Sequence, residues 1–394
     1  MLKYTDKLEK DNRITILALS WRDIKSPTAG GAEVHTHEML HRIDQSKYRV
    51  IHLSAMYDGL KEEEAIDGIT YLRKGSIFSC IHYARKYYKK NKNQIDYVID
   101  QCNTHRYFTP FWVEQEKRIF YIHQLTREIW DINLKFPLSK IGKIMETPLL
   151  RLNKNDRVIT VSESTKQDLV DVGFDSNKIF IVYNGISFEP WKEEDFLPKE
   201  KNPTFIYVGR YAKYKGIDAA VEALGMLKKD YPNAKLWILG KRNDEYISSA
   251  LKPITDKYGL SWGDRQTDGD IITWGYVSEQ EKLELISRST ALVFPSIREG
   301  WGIPITEAGN VGTPSIVYNS PGIRDAVKNG ECGYLCRQNT SEELYNNMKQ
   351  AIDDTEGYGA IQEKTIVFAR QFVWENTYKA FEKILENEEI NEKN

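Results

Sequence analysis

Residues 291–319, "ALVFPSIREGWGIPITEAGNVGTPSIVYN", decide the fold class of this 394-residue chain. The runs "ALVFPS" and "PSIVYN" are apolar almost throughout, as strands covered on both faces must be. Pro304 suits the first turn of a helix between them, and Gly300 and Gly302 give the preceding loop flexibility and an exposed backbone. The stretch therefore predicts a strand, a helix and a second strand of a parallel sheet with helices on both faces.

The same alternation continues on both sides of this stretch. The other predicted strands are "RITILALS", "YRVIHLSA", "IDYVIDQC", "RIFYIHQ", "DRVITVS" and "IFIVYNG" in the first half, and "TFIYVGR", "AKLWILG" and "IITWGY" in the second. Between the two sets, 187–203 is polar, holds three prolines and has no period, which predicts a linker. We expect an α/β protein of two doubly wound, Rossmann-like domains facing across a cleft, with ligands beyond the carboxyl ends of the strands. The boundaries fall at 1–187, 188–370 and an amphipathic helical tail, 371–394.

Composition describes an ordinary soluble chain, with 41% hydrophobic and 28% charged residues. A formal charge of -2 gives no reason to expect nucleic acid as a partner. Four cysteines are too few for a disulfide framework, and packing is the better reading of "GECGYLC". The N-terminus makes a poor signal peptide, and no apolar run approaches the ~18 residues that span a bilayer. The expected compartment is the cytoplasm.

The pentapeptide "HEMLH", residues 37–41, has the H-E-x-x-H spacing of zinc peptidases. On a helix from Gly31, the apolar positions gather on one side, and His37, Glu38 and His41 fall on the opposite side. A zinc peptidase buries its histidines and needs a further protein ligand. We therefore expect a polar, solvated helix face and no metal.

Several short elements suit a phosphorylated ligand. Gly30 and Gly31 lie at a strand-to-helix turn, where backbone amides and the helix dipole favour an anion, although a tight turn would use the same residues. Gly209 and Arg210 end the first strand of the second domain, and Lys215 precedes its next helix. Both cations suit a leaving diphosphate, and a pair of solvated surface cations remains an equal alternative.

The quoted stretch supplies two carboxylates, Glu299 and Glu307, on either side of "GWGIPIT". Loop amides and a helix N-terminus take phosphate or sugar oxygens, and carboxylates accept hydrogen bonds from sugar and ribose hydroxyls. This combination suits a sugar nucleotide.

Over nearly its whole length, the chain resembles the retaining glycosyltransferases of family 4, which have the GT-B fold. "EGWGIPITE" resembles the E-x7-E signature, "GRYAKYKG" the Arg/Lys diphosphate pair, and "AGGAE" the N-terminal glycine loop. "VSESTKQDL" and "YNGI" match in order and spacing, and "FVWENTYKAF" resembles the closing helix that returns to the first domain. One departure is Ser187 in "NGIS", where the family usually has aspartate, which puts a hinge or cap contact in doubt.

The resemblance implies a role for each matching residue. Glu299 would hold hydroxyls of the transferred sugar, Glu307 the ribose, and His123 would lie beside the sugar. The backbone around Gly300, Trp301, Gly302 and Ile303 would meet the sugar and phosphate, the segment near Tyr276 the base, and Arg210 and Lys215 the diphosphate.

The resemblance also implies the activity. A sugar would pass from a nucleotide diphosphate sugar, bound by the second domain, to a hydroxyl of a glycan or lipid-linked acceptor on the first, with retention and without metal or cofactor. Polysaccharide, glycolipid or cell-envelope glycan synthesis would be the setting. A GT-B epimerase, a phosphorylase or a non-catalytic sugar-nucleotide-binding relative are the alternatives.

For two remaining features an ordinary explanation is favoured over a functional one. Asp268 and Asp270 in "TDGD" give a D-x-D of the sort metal-dependent transferases use, but a polar loop explains them better. Residues 81–92 predict a basic amphipathic helix that could contact a membrane peripherally, at its inner face, through Arg85, Lys86, Lys89 and Lys90. A solvated face is the commoner outcome.

Overall fold

The structure is a computed structural model that describes residues 8–9 and 11–386. Within this range the chain divides into two compact units. The first comprises the residues up to 130, 136–185 and those from 373 onward, and the second comprises 131–135 and 186–372. Each unit is a sheet of mainly parallel strands covered by helices, as the apolar strand pattern predicts.

The first unit holds an eight-stranded sheet in the order β3-β4-β2-β1-β5-β6-β7-β8. Its strands are β1 (Ile14–Leu19), β2 (Tyr48–Ser54), β3 (Glu63–Ile66), β4 (Ile69–Arg73), β5 (Tyr97–Cys102), β6 (Arg118–Ile122), β7 (Arg157–Thr160) and β8 (Ile179–Ile181). Its helices are α1 (Gly31–His41), α2 (Ser79–Asn91), α3 (Ile129–Asn133, which crosses into the second unit), α4 (Leu138–Leu150) and α5 (Glu163–Asp171).

All six strands predicted for this half form, but β3 and β4 were not predicted. They make an antiparallel hairpin at the sheet edge, joined by Asp67 and Gly68. Both turn residues have left-handed backbone angles, with φ of 48° and 82°. An Asp-Gly pair between short runs is the usual sequence signal for this turn, so "IDGI" carried the information. The strand β3 was missed because its sequence, "EEAI", is too polar to form an apolar run.

The second unit holds a seven-stranded, all-parallel sheet in the order β11-β12-β10-β9-β13-β14-β15. Its strands are β9 (Thr204–Val208), β10 (Lys235–Leu239), β11 (Trp262–Asp264), β12 (Ile271–Gly275), β13 (Ala291–Phe294), β14 (Ser315–Val317) and β15 (Tyr334–Leu335). Its helices are α6 (Ile217–Leu227), α7 (Asp244–Tyr246), α8 (Lys252–Tyr258), α9 (Glu279–Arg288), α10 (Ile303–Asn310), α11 (Ile323–Ala326), α12 (Ser341–Asp353) and α13 (Thr355–Ala369). The two unpredicted strands, β11 and β15, have three and two residues, too few to show a period.

The last helix, α14 (Trp374–Leu385), belongs to the first unit. The ring of Trp374 lies 5.7 Å from that of His35, and a side chain at Gly185 would overlap Trp374. The Tyr97 hydroxyl donates to the Leu385 carbonyl at 2.7 Å. From Val373 to residue 386 the amphipathic tail is therefore part of the first unit's packing, and the remainder of the tail, 387–394, lies outside the described residues.

Residues 187–203, predicted as a linker, follow the first unit and are mostly irregular and at least partly exposed. The segment packs on the second unit, where the Lys199 ammonium donates to the carbonyl oxygen of Ser287 at 2.9 Å and to the hydroxyl of Thr313 at 2.7 Å. Phe196 lies where a side chain at Gly312 would overlap it. Because its contacts are long-range, no local period revealed them.

Candidate functional site

The carboxyl edge of the second unit's sheet brings together the loops that follow β9 and β13. The Ile297 amide donates to the Tyr214 carbonyl at 2.9 Å. Gly216, with a φ of 69°, allows this approach, because a side chain there would overlap the Pro295 carbonyl. Residues far apart in sequence, around Lys215 and Glu299, are thereby held side by side.

Lys215 and Glu299 form an ion pair, with side chains that are 13% and 15% exposed. The Lys215 ammonium also lies 5.3 Å from the ring centre of Tyr214 and 5.6 Å from that of Phe294. The sequence assigned these two residues to different parts of a ligand and did not predict their contact. A cation and a carboxylate that neutralise each other can both exchange partners when an anionic, hydroxyl-rich ligand arrives.

Arg210, the other predicted cation, is exposed on the same loop and donates to the Tyr214 hydroxyl at 2.9 Å. Gly209 precedes it, and a side chain at Gly240 would overlap the Gly209 carbonyl. The glycines therefore let the chain ends of β9 and β10 pass close to one another.

The loop 299–302 leads into α10 as predicted, with Gly302 at a φ of 100° before Ile303 and Pro304 in the first turn. Gly322 packs against this loop, because a side chain there would overlap the carbonyls of Glu299 and Gly300. Trp301 is buried, with its ring 4.7 Å from that of Phe372. The loop's course is therefore fixed by contacts on both sides.

Glu307 is buried and forms an ion pair with Lys282 at 2.8 Å. Burial raises the pKa of Glu307, and the neighbouring ammonium opposes that shift. Burial also works to lower the pKa of Lys282, but Glu307 and Glu279 outweigh it, so the pKa lies above its ordinary value. Sequence reasoning missed Lys282, since nothing in "SEQEKLEL" marks one lysine of a surface helix as the partner of a carboxylate 25 positions away.

Tyr276 follows β12 and is 90% exposed. Its carbonyl accepts a hydrogen bond from Arg265 at 3.3 Å. The Tyr276 ring is thus accessible to solvent.

His123 follows β6 in the first unit, in a cluster of aromatic side chains. Its ring lies 4.7 Å from Tyr121 and 5.4 Å from His35. Burial lowers the pKa of His123 well below its ordinary value, so the imidazole is neutral near pH 7. Among the described residues, its buried Nε2 atom has no hydrogen-bond partner. A neutral imidazole with an uncommitted nitrogen can bind a hydroxyl.

His35 supports this cluster and was missed by the sequence reasoning. Its Nε2 lies 3.1 Å from the Val182 carbonyl, and its Nδ1 is hydrogen-bonded to the Tyr121 hydroxyl. Burial lowers the pKa of His35 to about 4. Its sequence position gave one signal: His35 lies one helical turn before Met39, an apolar position of α1, and both residues are buried.

The glycine turn before α1 is already capped by the protein. The Gly30 amide donates to the Glu33 carboxylate at 2.7 Å, and Glu33 is paired with Arg22 at 2.9 Å. Gly31 is the first residue of the helix, as predicted. The Gly30 amide, one of those predicted to bind a phosphate, is thus already hydrogen-bonded to Glu33.

The prediction of a wet face for "HEMLH" is wrong for His37. That ring is 7% exposed and lies between the Tyr71 hydroxyl, at 2.8 Å, and the Asp67 carboxylate, at 3.0 Å. His41 stacks on it with ring centres 5.0 Å apart. The error arose because the hairpin β3–β4, which covers this side of the helix, was not predicted. One ligand atom from each of His37, Glu38 and His41 lies within 4.8 Å of the others.

The aspartates of "TDGD" are engaged by lysines of the second unit. Asp268 pairs with Lys235, and Asp270 pairs with Lys228 and accepts from the Ser261 hydroxyl at 2.7 Å. The four cysteines are buried thiols. Among the residues that the structure describes, no helix is both long and apolar enough to cross a bilayer.

Two cavities stand out in the described part of the chain. One of about 110 Å³ lies in the first unit, with Cys102 and Ile122, the last residues of β5 and β6, on one wall and α4 on the other. One of about 300 Å³ lies in the second unit beside Thr204 and Lys235, the first residues of β9 and β10. Only the former is at a carboxyl edge, where parallel sheets bind ligands.

Comparison with known proteins agrees with this arrangement. The family profile "Glycosyltransferase Family 4" matches residues 29–189, and "Glycosyl transferases group 1" matches 189–371. An uncharacterised glycosyltransferase of Haemophilus influenzae is 27% identical over 232 residues, which are 58% of this chain and 61% of that protein. A glycogen synthase of Mycobacterium tuberculosis is 29% identical over 220 residues, 55% of this chain and 50% of that protein. The match thus spans about half to three-fifths of these relatives' length.

Two solved structures share the fold. Sucrose-phosphate synthase from Thermosynechococcus elongatus superposes with a TM-score of 0.74 at 17% identity, covering 95% of this chain and 99% of that one. Anabaena HepE, in complex with UDP and glucose, superposes with a TM-score of 0.69 at 14% identity, covering 95% and 100%. Two Rossmann-like parallel sheets in one chain define the GT-B class of proteins. Together the two profiles cover 29–371, and the chain belongs to the family 4 glycosyltransferases.

Proposed function

We propose that this protein moves a sugar from a nucleotide diphosphate sugar to an acceptor hydroxyl with retention of anomeric configuration, in glycan synthesis. The observation that carries the proposal is the Lys215–Glu299 ion pair at the carboxyl edge of the second unit's sheet. A cation suited to a diphosphate and a carboxylate suited to sugar hydroxyls are in contact there. Two similar proteins support the same class of function. One sequence relative is a glycogen synthase, and one structure with the same fold was solved in complex with UDP and glucose.

Donor binding would rearrange this pair. The diphosphate would take Lys215 from Glu299, and the released carboxylate would accept hydrogen bonds from the sugar. Arg210, exposed on the same loop, would supply the second cation. The amides at the start of α10 would add a fixed dipole for the leaving phosphate. These groups neutralise the diphosphate as it leaves, so metal is not required.

The acceptor step needs no side-chain base. In a front-face substitution, an oxygen of the leaving phosphate takes the acceptor proton as the new glycosidic bond forms. We assign the acceptor to the first unit, where a cavity of about 110 Å³ lies at the ends of β5 and β6. His123, kept neutral by burial, would serve as a hydrogen-bonding group for the sugar.

A panel of UDP-, GDP- and ADP-sugars in a thermal-shift assay tests donor binding first. The stabilising donor is then incubated with candidate glycan and lipid-linked acceptors, and NMR reads the anomeric configuration of the product. A product with a new glycosidic bond and the same anomeric configuration as the donor supports the proposal. Conversion of the donor into another sugar nucleotide without acceptor would identify an epimerase instead.

A further inference from the structure

Histidines and carboxylates converge where helix α1 meets the hairpin β3–β4. Among the residues that the structure describes, His37, Glu38 and His41 form the one group of three potential metal ligands, with one ligand atom of each within 4.8 Å of the others. Asp67, in the turn of the hairpin, places a carboxylate oxygen 3.0 Å from Nε2 of His37. Two imidazoles and two carboxylates from two elements of the first unit therefore lie close together.

Two reasons for expecting no metal at "HEMLH" do not hold in the structure. His37 was predicted on a wet face, but it is 7% exposed. A further protein ligand was required, and Asp67 supplies a carboxylate from a hairpin that was not predicted. In a zinc peptidase the glutamate of this motif is a general base, whereas here Glu38 is itself one of the converging groups, 3.2 Å from Nε2 of His41. The arrangement therefore suits a structural ion better than a catalytic one.

The spacing of these atoms suits zinc. Zn²⁺ binds imidazole nitrogen and carboxylate oxygen at about 2.0–2.2 Å in a tetrahedral arrangement, so its ligand atoms lie about 3.3 Å from one another. The distances from His37 to Asp67, 3.0 Å, and from His41 to Glu38, 3.2 Å, are close to that value. The two imidazole rings are stacked, with centres 5.0 Å apart and 21° between their planes. One ion can therefore be shared between the two pairs after short side-chain movements.

Neighbouring groups hold the ligands in place. The Tyr71 hydroxyl lies 2.8 Å from Nδ1 of His37. Metal-binding imidazoles typically use their other nitrogen in such a hydrogen bond, which fixes the orientation of the ring. The Gln45 amide donates to the His41 carbonyl at 3.0 Å and to the Asp67 carbonyl at 2.9 Å, which joins the end of α1 to the hairpin turn. The Asp67 side chain is 60% exposed, so its carboxylate is free of packing that would prevent it from turning toward an ion.

The charges of the group suit a divalent cation. Glu38 and Asp67 supply two carboxylates, which match the charge of one such ion. Glu38 is paired with Arg42 at 2.8 Å, and the Arg42 side chain is 39% exposed. A pair of this kind contributes little to stability, so a metal ion can displace the guanidinium. Imidazole ligands favour zinc and the other late first-row metals over Mg²⁺ and Ca²⁺.

We propose that His37, Glu38, His41 and Asp67 bind one Zn²⁺ ion, which fastens helix α1 to the hairpin β3–β4. The proposal is independent of the transfer reaction, and turnover should be the same with and without zinc. To test it, the full chain is stripped with EDTA, and Zn²⁺ is titrated in competition with a chromophoric chelator, with Mg²⁺ in excess. Thermal unfolding is then measured with and without Zn²⁺.

The wild-type protein should bind one Zn²⁺ per chain and melt at a higher temperature with zinc, because an ion that binds only the folded state stabilises it. Asp67→Asn and His41→Gln should each weaken zinc binding by about tenfold or more and remove the thermal shift, because each removes a ligand. Asparagine tolerates the left-handed backbone of residue 67, with its φ of 48°, so the hairpin is retained. Asp58→Asn and His82→Gln, at exposed positions outside the group, are the matched controls and should bind zinc as the wild type does.

Three results would overturn the proposal. Absence of one-to-one zinc binding by the stripped wild-type protein would show that the group holds no ion. Equal zinc binding by the wild type, Asp67→Asn and His41→Gln would show an adventitious ion only, bound elsewhere. A loss of affinity in His82→Gln as large as that in His41→Gln would show a general attraction of zinc to exposed histidines. The melting temperature of each variant without metal, if close to that of the wild type, verifies that it is folded.

Discussion

The ammonium of Lys215 and the carboxylate of Glu299, 84 positions apart in sequence, are joined in an ion pair within the second unit. The contact couples two residues to which the family resemblance assigns separate tasks. Each neutralises the other until a ligand competes, so a change at either one alters the state of its partner. The first two predictions follow from this and from the second ion pair, Lys282 with Glu307.

Lys215→Ala and Arg210→Ala should each weaken binding of a nucleoside diphosphate. A charge-assisted hydrogen bond is worth about 1.5–3 kcal/mol, so the loss should be roughly ten- to hundredfold. Lys213→Ala, an exposed lysine in the same turn, is the matched control and should bind as the wild type does. Calorimetry measures all three, and unchanged affinity in both test variants would exclude these cations from the diphosphate site.

The two glutamates should differ in what they disturb. Glu299→Gln should leave affinity for the bare nucleoside diphosphate nearly intact, or raise it by releasing Lys215, while abolishing transfer. Glu307→Ala should weaken nucleotide binding and also destabilise the fold by about 1–3 kcal/mol, because the largely buried Lys282 then keeps only its ion pair with the more exposed Glu279.

A second substitution separates the two effects at Glu307. Glu307→Gln combined with Lys282→Met removes the buried charge, so it should recover much of the thermal stability but not the nucleotide affinity. If nucleotide affinity returns together with stability, Glu307 has a structural role only. Equal loss of affinity in the Glu299 and Glu307 variants would show that the division of roles is wrong.

The close approach at Gly322 should be needed for donor binding. Gly322→Ala adds a methyl group where the carbonyls of Glu299 and Gly300 lie, and the residue has a φ of 77°. We expect the loop 299–302 to shift, with at least tenfold weaker donor binding as an order of magnitude. Gly259→Ala has a similar φ of 66° with open space around it, so it controls for backbone strain alone. If both variants weaken donor binding equally, backbone strain alone explains the effect, and the close approach at Gly322 has no specific role.

His123→Ala should cut turnover severely, because it removes a hydrogen-bonding group assigned to the reacting sugar. The double change His37→Ala, His41→Ala should leave turnover close to normal, and chelators should have no effect. Since His37 is buried against Tyr71 and Asp67, the double variant should lose about 1–3 kcal/mol of stability, and activity should be compared well below its melting temperature.

Metal analysis of the purified protein decides the alternative at "HEMLH". One zinc per chain, lost in the His37, His41 double variant together with activity, would contradict the assignment to sugar transfer. The three candidate ligands, His37, Glu38 and His41, lie close together, so the measurement tests metal binding directly.

The sequence by itself determined the strands that form the centre of each sheet, since short apolar runs between helical segments are typical of strands that are covered on both faces. It also determined the loop and the helix start around Pro304, because glycine and proline restrict the backbone locally. The family followed from several such motifs in a fixed order.

Only the tertiary structure decided which side chains pair and which helix faces are covered. Lys215 with Glu299, Lys282 with Glu307 and His35 with Tyr121 join residues that no local pattern connects. The hairpin β3–β4 buries His37 and brings Asp67 beside it. Burial and pairing depend on which segments pack together, and a period along one helix cannot show what lies against it.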